Sequence, residues 1–226
     1  MGSDNLFHKR KTRDNAALQR QKRERERNKR FLIVCEGTKT EPTYFQELLE
    51  DLGIPSTTVR IARNNGTSPD RIVSHALGLY DDDAKCGDAY DKVFCVFDRD
   101  AHTTFDTAVK YIEGLTKEGK PFIAITSNPC FEFWLILHFS YTTAPFQATG
   151  KKSVGDKVVE KLKKQAGFED YGKGQRGIYQ SLKEKLPTAI KNAKKLREHS
   201  KTTGSVSPLT NVDELVIEIQ NLKKSP

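Results

Sequence analysis

Apolar residues along the chain alternate between short β-branched or aromatic runs and longer stretches with helical spacing. Four runs have the length of strands: 31–35, 58–63, 92–97 and 121–126. A helical pattern follows each of them: the first has Pro42 in its first turn and runs to about Leu52, and the others lie at 68–80, 104–117 and 131–139. Because helical crossovers join parallel strands, this order predicts an α/β fold with a mainly parallel four-stranded sheet flanked by helices.

Both ends of the chain are rich in charge. Residues 1–30 carry eleven Lys or Arg against four Asp or Glu and few apolar side chains, which predicts a flexible or solvated basic arm. After Tyr141 the composition becomes Lys-rich, with helical spacing at 153–165, 178–198 and 212–223. We therefore expect three regions: a basic arm at 1–30, an α/β domain at 31–145 and a helical C-terminal region at 146–226.

The net charge of +8 is unevenly distributed. Residues 31–150 have a net charge of −7, whereas residues 151–201 have a net charge of +9. An acidic middle between basic flanks suits a cation-dependent site that acts on a polyanion such as nucleic acid. Flanks that only keep the protein in solution are the alternative.

The sequence gives no sign of membrane insertion or secretion. Its longest apolar run, 131–139, is interrupted by Glu132 and His138 and is too short to cross a bilayer. The amino terminus lacks the apolar core of a signal peptide. The four cysteines show no paired metal-type spacing, and Cys35 and Cys95 lie within predicted strands. We expect a cytoplasmic protein with reduced cysteines and no membrane contact.

Carboxylates follow two of the predicted strands. Glu36 comes directly after the first strand and before Gly37, and Asp98 and Asp100 follow the third. Carboxyl ends of parallel strands meet at one edge of a sheet, where ligands bind. In an extended segment Asp98 and Asp100 point the same way, roughly 6.5–7 Å apart, and can share one hard cation. The alternative is a polar turn, with Asp100 capping the next helix.

Three motifs support a resemblance to known proteins: Glu36-Gly-Thr-Lys-Thr-Glu41, Phe97-Asp-Arg-Asp100 and Ser127-Asn-Pro-Cys-Phe-Glu132. A Glu-Gly after the first strand and an Asp-x-Asp after the third are similar to the Toprim domain of primases, topoisomerases and small nucleases. The larger set, with the opening at 2–11, resembles the RloB-like family of bacterial abortive-infection and phage-defence proteins. The resemblance covers nearly the whole chain and is most specific within 31–139.

The resemblance implies a Toprim-like catalytic domain at 31–145 that binds Mg²⁺, or Mn²⁺ in its place, as one or two ions. Glu36, Asp98 and Asp100 would be the catalytic and metal-binding residues. Glu41 and Glu132 occupy places where related nucleases carry acids for a second metal. Glu41 could instead form a capping box with Thr38. Glu132, inside an apolar run, must be satisfied either by a metal or by Lys or Arg.

Basic residues near these motifs are candidates for nucleic-acid binding. Lys39 lies in the turn after the first strand, and Lys151 or Lys152 would supply a basic residue beyond the sheet. The arm adds Arg20, Lys22 and Arg23. The resemblance also implies a partner ATPase of the ABC/AAA type. The nearby His138 is expected to be a core histidine.

We therefore expect a Mg²⁺-dependent nuclease that hydrolyses phosphodiester bonds of RNA, tRNA among them, or DNA, and acts in anti-phage defence. One rival is a haloacid-dehalogenase-like phosphotransferase with Asp98 as nucleophile, although Glu36 would then have no task. Another is a non-catalytic nucleic-acid-binding or regulatory subunit. Metal-independent binding that is insensitive to Asp98→Ala would favour that second rival.

Overall fold

A computed structural model describes residues 29–63, 68–99 and 103–224. The strands are β1 (Phe31–Cys35), β2 (Val59–Arg63), β3 (Lys92–Asp98), β4 (Phe122–Asn128) and β5 (Leu209–Thr210). The helices are α1 (Thr40–Leu52), α2 (Pro69–Lys85), α3 (Phe105–Lys117), α4 (Glu132–Leu137), α5 (Val154–Leu162), α6 (Ile178–Leu182), α7 (Leu186–Thr203) and α8 (Val212–Lys224). The four strands predicted from the apolar pattern are confirmed to within two residues at each end.

The strands form one mixed sheet in the order β2-β1-β3-β4-β5. Strands β1 to β4 are parallel, and β5 pairs antiparallel with the end of β4. The predicted count of four strands is therefore wrong by one. Strand β5 has only two residues, which is too short to produce an alternating pattern. The side chain of Asn211 extends this edge, accepting from the Thr126 amide at 2.7 Å and donating to the Ala124 carbonyl at 3.0 Å.

Each face of the sheet packs against its own set of helices. In β1, Phe31, Ile33 and Cys35 belong to one core, whereas Leu32 and Val34 belong to the other. The second core is closed by α2 and α3, and the first by α1, α4 and the C-terminal helices. Strands covered on both faces explain why these apolar runs show no polar alternation.

The C-terminal helices share the first core with the sheet. Leu162 of α5, Leu196 of α7 and Val216 of α8 are all buried there. The single helix expected at 178–198 is divided into α6, a 3₁₀ turn at Lys183–Lys185 and α7. Pro187 lies in the first turn of α7, where its missing N–H does not interrupt the helix. The three-region division of the chain stays a prediction, and the arm at 1–28 lies outside the described residues.

Two further expectations concern the environment of the chain. None of the helices within the described residues is long and apolar enough to cross a membrane. Cys35, Cys95 and Cys130 are buried free thiols, and Cys86 is an exposed one. The expected reduced state of the cysteines in β1 and β3 agrees with this arrangement.

Candidate active site

The ends of β1 and β3 bring two of the predicted residues into contact. These strands are parallel neighbours, so Glu36, just after β1, lies beside the end of β3. The Glu36 amide donates to the Val96 carbonyl at 2.9 Å, and the Asp98 amide donates to Glu36 Oε2 at 3.0 Å. The first hydrogen bond continues the ladder of the sheet. The second fixes the Glu36 carboxylate against the backbone of Asp98.

The Asp98 side chain is held from a third element. The Phe131 amide, just before α4, donates to Asp98 Oδ2 at 3.2 Å. A side chain from β3 is thereby tied to the entry of α4. The neighbouring Arg99 forms an ion pair with Asp106 at 3.6 Å. Asp100 lies in 100–102, outside the described residues.

Glu41 is buried in the first turn of α1 rather than serving as a cap. Lys39 is the N-cap of this helix and no side chain makes the capping hydrogen bond, so the capping box with Thr38 is wrong. The Glu41 carboxylate packs directly on Gly37, where a Cβ would lie 2.0 Å from Glu41 Oε2. A side chain at position 37 would therefore displace the Glu41 carboxylate from this place.

Glu132, the first residue of α4, is only 2% exposed and is paired by residues that the sequence did not suggest. The Tyr171 hydroxyl donates to Glu132 Oε1 at 3.2 Å. The Lys173 Nζ atom lies 3.6 Å from the same oxygen. Pairing with lysine, one of the two possibilities left open for this buried carboxylate, is present, and its role as a metal ligand stays a prediction.

Tyr171 and Lys173 belong to a segment that we call the glycine loop, Tyr171–Gly177. The loop is anchored to α1, because the Gly174 amide donates to Thr40 Oγ1 at 3.2 Å and the Gly177 amide to Glu47 Oε1 at 2.5 Å. Gly174 has a φ of +83°, and a Cβ there would lie 2.8 Å from the Lys39 Cβ. Only glycine fits this close approach. In the sequence, only the run Gly172-Lys173-Gly174 could have indicated that this segment is a tight loop carrying a lysine.

The pKa shifts show that the carboxyl groups share one region. Burial, followed by the charges of Glu41, Glu132 and Glu36, raises the pKa of Asp98 well above its usual range. Burial and the charges of Glu132 and Glu36 outweigh a hydrogen bond to its own backbone and raise the pKa of Glu41 to about 7. Desolvation disfavours the charged form of each group, and like charges disfavour it further. The arrangement therefore favours a bound cation.

These carboxylates have the oxygen chemistry that Mg²⁺ and Mn²⁺ prefer. Glu36 and Asp98 fit such an ion best, since the Glu36 carboxylate lies against the backbone amide of Asp98 at adjacent strand ends and its charge acts on the Asp98 carboxyl group. As placed, however, no group of three His, Cys, Asp or Glu side chains within the described residues is arranged to hold a metal. Of the five predicted metal ligands, Glu36, Glu41, Asp98 and Glu132 are thus not placed as a ready cage, and with Asp100 outside the described residues the predicted set stays a prediction.

The predicted basic residues differ in their positions. Lys39 is exposed and lies against the glycine loop, next to the carboxylates. Lys152 instead forms an ion pair with Glu160 of α5, and Lys151 is exposed beside it. The basic side chain that does reach the carboxylates is Lys173. Arg20, Lys22 and Arg23 lie outside the described residues.

Ser127 and Asn128, the last two residues of β4, connect this strand to the β5 region. Ser127 Oγ lies 3.1 Å from Thr210 Oγ1, and Asn128 Nδ2 donates to the Val206 carbonyl at 2.6 Å. Their hydrogen bonds have a structural role at the edge of the sheet.

The fold and the site define an α/β protein with buried and half-buried carboxylates grouped at the carboxyl edge of a mainly parallel sheet. The family model described as RloB-like protein matches residues 31–219, which include all of these carboxylates. The chain belongs to the RloB-like family. Searches of curated proteins and of solved structures gave no match.

Proposed function

We propose that the protein is a Toprim-type, Mg²⁺-dependent nuclease that hydrolyses phosphodiester bonds of RNA, with tRNA as one candidate, or of DNA. The observation that supports this most is the contact between Glu36 and Asp98 at adjacent strand ends. Carboxylates that crowd together at such an edge call for a divalent cation. Membership of the RloB-like family supports the proposal further.

In the proposed reaction, the metal ligands are Glu36, Asp98 and Asp100. A bound Mg²⁺ would supply Lewis acidity, polarising the scissile phosphate and lowering the pKa of water. The Glu36 carboxylate, held at Oε2 by the Asp98 amide, orients the attacking water and takes its proton. The water oxygen bonds to phosphorus, the P–O bond to the leaving sugar oxygen breaks, and that oxygen is protonated.

Charge distribution supports nucleic acid as the substrate. Residues 151–201 carry a net charge of +9, and the exposed Lys39 and Lys173 lie next to the carboxylates. Positive charge beside an acidic metal site is what a polyanionic substrate requires, since the carboxylates alone would repel it. The basic arm at 1–30 would extend this surface along the backbone.

We also propose a biological setting. The protein would act in the cytoplasm as the effector of an anti-phage defence system and would work with an ABC/AAA-type ATPase. Resemblance to the defence members of the family supports this setting. Co-purification of the chain with an ATPase encoded beside its gene is the direct test.

The activity is tested with a panel of tRNA, other RNA, and single- and double-stranded DNA. Wild type is incubated with each substrate in Mg²⁺, Mn²⁺ or EDTA, alone and with the neighbouring ATPase. We expect cleavage that requires the metal and is lost in Glu36→Gln. Glu113→Gln, an exposed position on α3 across the sheet, is the matched control and should cleave normally. Absence of cleavage under every condition would argue against a nuclease.

A further inference from the structure

Glu132 Oε1 receives two contacts from the glycine loop. One is the Tyr171 hydroxyl at 3.2 Å, and the other is the Lys173 ammonium at 3.6 Å. A divalent ion bound through this oxygen would have to displace both. Because the side chain of Glu132 is almost fully buried, releasing these partners without a replacement would be costly.

Lys173 is placed to act on more than Glu132. Its side chain is 67% exposed, so the ammonium pairs with a buried carboxylate while facing solvent. The charges of Glu132, Asp98 and Glu41 all act on this lysine. Lys173 therefore lies between the carboxylates and the side from which a substrate approaches.

The glycine loop is held in place independently of Glu132. Thr40 accepts from the Gly174 amide, and Glu47 accepts from the amides of Gly177 and Tyr179, the latter at 3.0 Å. These bonds cross more than 120 residues of sequence and connect the loop to α1. The position of Lys173 is thus set from both α1 and α4.

We propose that Lys173, positioned by Glu132 and Tyr171, provides the second positive charge of the site, so that the carboxylates bind one divalent ion rather than two. Lys173 then contacts a phosphate oxygen of the nucleic acid, a task that a second metal performs in two-metal enzymes. Glu132 is a positioning residue that acts through Lys173. This inference rests on the proposed nuclease function and specifies how its site is charged.

The number of ions is measured by calorimetric titration of the full chain with Mn²⁺. We expect about one ion per chain in wild type. Glu132→Gln should still bind one ion with an affinity within about threefold of wild type, whereas Asp98→Asn should lose it. Two ions in wild type, or loss of an ion in Glu132→Gln, would overturn the proposal. Tyr171→Phe, which keeps every charge, should also bind one ion.

The role of Lys173 is measured by binding of a short fluorescent single-stranded oligonucleotide in Ca²⁺, which avoids dependence on cleavage. We expect Lys173→Gln to weaken binding about tenfold, the effect of losing one charge-assisted hydrogen bond. Lys173→Arg should restore most of it. Lys110→Gln, an exposed lysine of α3 across the sheet, is the matched control and should bind like wild type.

A double variant tests whether Glu132 acts through Lys173. Glu132→Gln should weaken oligonucleotide binding when it is the only substitution, but it should have no further effect in a protein that already carries Lys173→Gln. Independent, additive effects would contradict a positioning role. Circular dichroism and thermal unfolding confirm that each variant is folded.

The outcomes separate this inference from the nuclease proposal. Metal-dependent cleavage with two bound ions would overturn the single-ion inference and leave the nuclease function standing. One bound ion and Lys173-dependent binding, without cleavage of any substrate, would overturn the nuclease function and leave the role of Lys173 standing.

Discussion

The two ends of α4 each place a buried titratable side chain in the protein, but in opposite surroundings. Glu132 begins the helix and faces Asp98, Glu41 and Lys173, whereas His138 follows its last residue and faces Trp134 and the ring of Tyr44. Near the first end, carboxyl groups are held close to one another. At the second, one neutral ring is surrounded by aromatic groups.

The difference separates a candidate functional region from a structural one. Burial lowers the pKa of His138 to about 4, so the ring is neutral near neutral pH and its Nδ1 atom lies 3.1 Å from the Trp134 carbonyl oxygen. A neutral ring needs no charged partner at this end of α4. Near Glu132, burial and the neighbouring carboxyl charges instead raise the pKa of Asp98 and the pKa of Glu41, a conflict that a bound cation would relieve. Buried polar groups thus point to function where their charges oppose one another.

The sharpest way to break this comparison is to remove a charge from the acidic end. Asp98→Asn keeps the shape of the side chain and an acceptor for the Phe131 amide but removes a proposed metal ligand. We expect kcat/KM for nucleic-acid cleavage to fall about 1000-fold, since a metal supplies several kcal/mol of transition-state stabilisation. Single-turnover cleavage assays measure this, and near-normal activity would remove Asp98 from the mechanism.

The histidine end should show itself in the pH dependence of stability. The folded pKa of about 4 lies below the unfolded value near 6.5, so the unfolded state binds the proton more readily in between. The contribution of His138 is complete above about pH 6.5 and is lost as pH falls towards 4, by about 3 kcal/mol. The pKa is lowered by burial and then by Lys185, while backbone contacts to Trp134 and Leu135 oppose the shift.

Urea denaturation of wild type and His138→Gln at several pH values isolates this effect, because carboxyl groups elsewhere titrate in both proteins. The difference in unfolding free energy between the two should shrink as pH falls from 6.5 to 4.5. A constant difference in unfolding free energy over this range would mean that burial in the core does not favour the neutral form of His138.

Magnesium should stabilise the acidic end only when its carboxylates are intact. At concentrations roughly 10–100 times its Kd, Mg²⁺ should raise the unfolding free energy of wild type by about 1–3 kcal/mol. Asp98→Asn should gain almost nothing from the ion. Without metal this variant should be the more stable protein, because it lacks one buried repelling carboxyl group. Thermal unfolding with and without EDTA tests both statements.

The smallest effect concerns the anchoring of the glycine loop. Thr40→Val removes the acceptor of the Gly174 amide and should cost about 1 kcal/mol of stability. Hydrogen exchange at Gly174 should accelerate, since its amide loses its partner. Thr43→Val, in the same helix, is the control. Unchanged exchange at Gly174 would show that the loop is held without Thr40.

The sheet was readable because its signals are local. Each parallel strand is a short β-branched or aromatic run, and Glu36 directly follows β1 while Asp98 is the last residue of β3. Strands that are buried on both faces are typical of parallel sheets, and the carboxylates at the ends of parallel strands lie at the same edge of the sheet. The proximity of Glu36 and Asp98 could therefore be predicted from the sequence, but the hydrogen bond from the Asp98 amide to the Glu36 carboxylate could not.

Other features could not be read because their partners are far apart in sequence. Lys173 and Glu132 are separated by 41 positions, and no period connects a loop of glycines to a helix entry. Lys152 looked equally suitable, and only the fold shows that it pairs with Glu160. Strand β5 also depends on a distant partner, because its two residues form a strand only by pairing with the end of β4.

The sequence by itself determined the α/β alternation, the acidic strand ends and the core role of His138, because periodicity and strand-end chemistry act within a few residues. Tertiary structure alone decided that Glu41 lies against Gly37 rather than capping α1, and that Glu132 is paired with Lys173. Burial and charge balance depend on which distant segments fold against each other, and that is settled only when the core closes.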